Sequence, residues 1–197
     1  IKSDKKNTDM IAAIGSAYLQ VGKIDEAEMY FNKAQRCYKI TPMAINLGGD
    51  IARAKGWVDS AKYYYNRAIY FDRHDPEAYF KYADLVKFTD MPEAMLRLNL
   101  IKELRPDISI DGRVAELYYG AQKYDAAIAS YEKQGLAKMT ENELVHYAQS
   151  ILLSGNNKKA LSIATKGNSI YPHNTDLLRV MLYCNTDLEH FNAALEN

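Results

Sequence analysis

Four histidines and two cysteines are the residues of this sequence best suited to hold a metal or to pair a nucleophile with a base. Their spacing does neither. His74, His146, His173 and His190 each stand more than four residues from any other histidine or cysteine, which excludes the usual zinc spacings. His74 and His173 fall where turns are expected, as exposed polar residues. Gly48-Gly49 lies inside an expected helix with no strand before it, so it is no phosphate-cradling loop. A G-x-S-x-G nucleophile elbow is absent. The carboxylates Asp25-Glu26 and Glu141/Glu143 stand at expected helix starts, where the macrodipole favours negative charge. The residues therefore point away from catalysis: no catalytic side chain, cofactor or metal site is read here.

Composition narrows the field further. The 197 residues carry 25 basic and 25 acidic side chains and no net charge, which is not the basic footprint of nucleic-acid binding. No apolar run approaches the roughly 20 residues of a membrane span. Cys37 and Cys184 sit near opposite ends, too far apart in an elongated array for a disulfide. The chain opens on the polar stretch 2–7 and stops inside a sixth hairpin, so it reads as a segment of a longer protein.

The elements that would position any site are announced by a period. Ala27, Ala61, Ala94, Ala127, Ala160 and Ala194 are spaced 34, 33, 33, 33 and 34 residues apart. Four residues after the first five come Phe31, Tyr65, Leu98, Tyr131 and Ala164, on the same face of a 3.6-residue helix. About twelve residues before each alanine runs a second stripe with i, i+3, i+4, i+7 spacing. It reads Ile11-Ile14-Gly15-Tyr18, Ile45-Gly48-Gly49-Ala52, Tyr79-Tyr82-Ala83-Val86, Asp111-Val114-Ala115-Tyr118, Leu144-Tyr147-Ala148-Ile151 and Leu178-Met181-Leu182-Asn185. Small residues recur in both stripes because helices roughly 8–10 Å apart need something short where they cross. A period in the low thirties built this way predicts stacked helical hairpins.

These residues resemble the tetratricopeptide repeat, whose signature is W-x2-L-G-x2-Y, then A-x3-F, then P. The first unit reads Ile11, Ile14, Gly15, Tyr18, Ala27, Phe31 and Ala34; the fifth reads Leu144, Tyr147, Ala148, Ile151, Ala160, Ala164, Gly167 and Pro172. The resemblance implies an all-α, right-handed superhelical solenoid of antiparallel helix hairpins, one array over 1–197. Its units are expected at about 8–41, 42–75, 76–107, 108–140, 141–174 and 175–197, the last truncated. Helices are expected at 8–21, 24–38, 42–55, 58–72, 76–88, 91–104, 109–120, 123–136, 141–154, 157–170, 175–186 and 189–196. The fourth unit departs most. Asp111 replaces an aromatic, Gly112 lies within a helix, and Gln134 takes a small-residue place, which reads as drift in a middle repeat or, alternatively, as a local kink or notch in the groove.

In this family the first helix of each hairpin lines the concave face. Carried over position by position, the resemblance implies a peptide-binding groove centred on Asp50, Glu77, Phe80, Asp84, Phe88, Glu116 and Tyr119. Asn46, Arg53 and Lys87 face the same side. That composition suits a partner protein or peptide that is basic and partly apolar. The clamp for acidic tails that chaperone-binding relatives carry is absent, because its places hold Ala12, Ser16, Leu47, Glu77 and Lys81. The function implied is a non-catalytic protein-interaction scaffold, with no nucleic acid and no membrane insertion. Two other readings are an accessory region of a longer enzyme or envelope complex, and a helical repeat for single-stranded RNA. The truncated last unit is expected to fray after about residue 188 or to self-associate.

Overall fold

Thr41 and Pro42 show how this chain starts a helix: the threonine hydroxyl accepts from the Ala44 amide while proline occupies the first helical position. The computed structural model describes the backbone of residues 2–195 and the side chains of residues 7–187. The chain falls into two compact units, Ile1–Asp107 and Ile108–Asn197. The boundary coincides with the expected edge between the third and fourth repeats.

The first unit holds three hairpins: α1 (Lys2–Gln20) with α2 (Ile24–Gln35), α3 (Pro42–Ala54) with α4 (Val58–Phe71), and α5 (Pro76–Val86) with α6 (Met91–Leu104). The second holds α7 (Asp111–Gly120) with α8 (Tyr124–Gln134), a 3-10 turn at Leu136–Lys138, α9 (Glu141–Leu153) with α10 (Asn157–Ile170), and α11 (Thr175–Leu195). Within each unit helices pack on their chain neighbours, and first helices pack on first helices: α1 on α3, α3 on α5, α7 on α9 and α9 on α11. The architecture is all-α stacked hairpins, with no strand among the described residues.

Local chemistry accounts for the boundaries. Asp75, Asp90 and Thr140 cap α5, α6 and α9, the last through a reciprocal capping box with Glu143. Asn156 caps α10 in the same way as Asp90 caps α6, accepting from the Lys159 amide. The first, second and fifth hairpins turn on Gly22, Gly56 and Gly155, all in the left-handed region with φ of 78°, 75° and 86°. The fourth turns on Gln122 at φ 58°, without glycine.

The five expected crossing alanines Ala27, Ala61, Ala94, Ala127 and Ala160 are fully buried. Their partners are small for a steric reason. A Cβ on Gly49 would collide with the Tyr65 ring, and one on Gly48 with the Phe31 ring.

Three expectations need correction. The opening polar stretch is helical, since α1 begins at Lys2 rather than at residue 8. The last unit is one helix through Leu195, not two broken near 187. The place one repeat after Gly155 holds Leu188, and no glycine or proline lies nearby to turn the chain. With no turn, counting back from Ala194 gives the wrong register. The residues α11 buries are Leu177, Val180 and Cys184, one repeat after Leu144, Tyr147 and Ile151, while Leu178 is 43% and Leu182 64% exposed. The expected fraying or self-association after about residue 188 falls where the side chains lie outside the described residues. The third correction is Gly112, which leaves no notch. It is buried, and the space a Cβ would take is filled by the side-chain ends of Gln134 and Glu143.

Candidate functional site

In the first unit the site is built on α3 and α5. The Tyr65 hydroxyl on α4 donates to Asp50 Oδ1 at 2.8 Å. Lys81, on α5, donates to the other Asp50 oxygen and lies 3.3 Å from Glu77 Oε1, one turn back on its own helix. Asp50 thus ties three helices together. Burial first, then the Asp50 charge, pushes the Tyr65 phenol far above the usual tyrosine range.

Beside this network lies a groove of about 830 Å³, lined by α1, α3 and the start of α5. Ser16, Leu19, Met43, Asn46, Arg53 and Lys81 contribute to its walls along with Asp50 and Glu77. Of the expected site residues in this unit, Asp50 and Glu77 line the groove. Phe80, Asp84 and Phe88 do not. Phe80 is half-buried on α5, Asp84 stands 3.8 Å from Lys87, and Phe88 is 79% exposed with the Lys87 ammonium 5.1 Å from its ring centroid.

The second unit repeats the arrangement with different chemistry. Glu116 on α7 accepts from the Tyr131 hydroxyl on α8, and His146 Nδ1 on α9 lies 2.8 and 3.0 Å from its two oxygens. Tyr119 stacks on His146 with ring centroids 4.1 Å apart and planes 15° apart. Its hydroxyl donates to Gln149 Oε1 at 2.5 Å. Burial and the Glu116 bond raise the Tyr131 phenol well above its ordinary range. Glu116 and Tyr119 therefore meet through His146, within their own unit.

Sequence reasoning assigned Tyr65 and Tyr131 to the core and missed their bonds to the groove side. The signal was present: each tyrosine follows its carboxylate by 15 residues, and the two pairs stand two repeats apart. Lys81 and His146, from the following first helix, complete the set. Among the described residues no three His, Cys, Asp or Glu side chains gather as a metal-ligand group. No described helix is long and apolar enough to cross a membrane.

Stacked antiparallel hairpins of 33–34 residues, crossing at buried alanines, define a helical-repeat protein. Residues 8–36 match the family model of the tetratricopeptide repeat. No curated protein matches it in sequence. Among solved structures it is similar to the thermophilic tetratricopeptide protein TTC0263 of Thermus thermophilus, at 18% identity and TM-score 0.69, over 91% of this chain and 99% of that one. It resembles the Cut9-Hcn1 hetero-tetramer of APC/C at 18% identity and TM-score 0.67, over 88% of this chain and only 35% of that one. It also resembles YrrB, a tetratricopeptide protein described as having an unusual peptide-binding site, at 14% identity and TM-score 0.59, over 90% and 95%. At these identities the likeness is one of fold.

Proposed function

We propose that this chain is a non-catalytic scaffold for protein interaction, one array over 1–197 that holds a basic, partly apolar peptide or partner protein on the face of its first helices. The observation that carries the reading is the open groove of about 830 Å³ walled by α1, α3 and α5, within the size range of ligand clefts. The peptide-binding site described for YrrB supports the same use of the fold. Asp50 and Glu116 already hold internal donors, so they shape the face more than they supply charge. Glu77, largely exposed, and the apolar side chains of Leu19 and Met43 on the groove wall are the better-placed contacts.

A display library of random 12-residue peptides, selected on the folded chain, tests the proposal. Selected peptides are expected to lose affinity with Leu19→Ala and Glu77→Lys, both on the groove wall, and to keep it with the outer-helix change Lys62→Glu. The reverse pattern would overturn the groove reading.

Self-association through the last helix belongs to the same proposal, because Leu178, Leu182 and Tyr183 are exposed on α11. Sedimentation velocity should show concentration-dependent dimers that Leu182→Glu abolishes. A strictly monomeric parent chain would refute it.

A further inference from the structure

We infer that the groove of the first unit receives an arginine side chain of the bound peptide, set against Asn46. The inference rests on the scaffold reading above and narrows it. Asn46 lines the groove, is only 3% exposed, and its Oδ1 is buried with no hydrogen-bond partner. Buried polar atoms in folded proteins are nearly always bonded. A half-turn of the amide, whose two ends are alike in size, presents that acceptor to the groove, where a ligand donor would satisfy it.

The surroundings decide which donor. Asp50 follows Asn46 one turn along α3, and Asp75 and Glu77 stand at the start of α5 on the groove wall. The cations there are Arg53 and Lys81, and Lys81 is engaged by both Asp50 and Glu77. The wall is thus richer in acceptors than in donors. A main-chain amide would bring one donor and no charge, whereas a guanidinium brings five in a flat fork that can span acceptors on adjacent helix turns. Leu19 and Met43 provide apolar wall for its methylene stem.

Peptides selected on the folded chain test this directly. They are expected to be enriched in arginine, and replacing that arginine with citrulline should weaken binding at least tenfold. Asn46→Leu should reduce the preference for arginine over norleucine, which has no donor, severalfold, while the melting temperature rises by roughly 2–4 °C because an unmet acceptor has been removed. If Asn46→Leu fails to fold, Glu77→Gln serves in its place and should reduce the preference severalfold. Peptides that bind equally well with citrulline, or an Asn46→Leu or Glu77→Gln chain with the arginine preference intact, would overturn the inference and leave the scaffold reading standing. Failure to select any groove-dependent peptide would remove both.

Discussion

The Tyr65 hydroxyl donates to Asp50 Oδ1 at 2.8 Å, joining a residue of the helix-crossing core to one of the groove. Tyr131 does the same for Glu116 two repeats on. A fully buried ring therefore carries its polar end outward to hold a carboxylate in place, and a base from the next first helix closes each network. Changes in the core are expected to reach the Asp50 and Glu116 carboxylates through these two tyrosines.

Ala61→Leu and Ala94→Leu should each destabilise the chain by about 1–3 kcal/mol or more, because both alanines are fully buried where helices cross. Urea unfolding monitored by circular dichroism measures this. A variant as stable as the parent would contradict the packing described.

Gly49→Ala tests a tighter contact. Alanine gains roughly 0.8–1 kcal/mol of helix propensity over glycine, yet its Cβ would meet three atoms of the rigid Tyr65 ring. The ring must shift, and its bond to Asp50 shifts with it. Net destabilisation is expected, with perturbed resonances at Asp50 and Lys81.

The buried phenols predict a limit on the alkaline side. Tyr65 and Tyr131 have folded-state pKa values raised by burial and a neighbouring carboxylate. Their neutral form is therefore favoured in the fold. The associated stability is complete below the unfolded tyrosine value near 10 and is lost as pH rises above it. Urea midpoints should start to fall above about pH 10, the unfolded tyrosine value, and fall less steeply when Tyr65→Phe and Tyr131→Phe are combined.

Once a groove peptide is in hand, Leu19→Ala should weaken binding more than Glu77→Gln. An exposed ion pair contributes about 0–1 kcal/mol, whereas apolar wall covered by a bound side chain contributes about 0.8 kcal/mol per buried methylene. Titration calorimetry at low and moderate salt separates the two, with salt sensitivity confined to the Glu77 contribution.

By itself the sequence determined the all-α repeat, the hairpin boundaries and the buried alanines, because each depends on local spacing. Small residues at a 33–34 residue period, capping side chains before proline, and glycines at turns act within a few residues of where they stand. Where local signals were missing, the reading slipped. No residue marked a turn near 188, so the register of α11 was decided by packing against α9 and α10, which buries Leu177, Val180 and Cys184. Gly112 looked like an opening in the chain, and the side chains of Gln134 and Glu143 closed it. Of the residues expected in the groove of the first unit, Asp50 and Glu77 line it, whereas Phe80, Asp84 and Phe88 do not. Asp50 and Glu116 could be placed on first helices from the period alone; that Lys81 and His146 would meet them, and that Asn46 would be left with an unmet acceptor, depends on how neighbouring hairpins stack. Such contacts join residues 30 or 31 positions apart, and only the tertiary structure brings them within bonding distance.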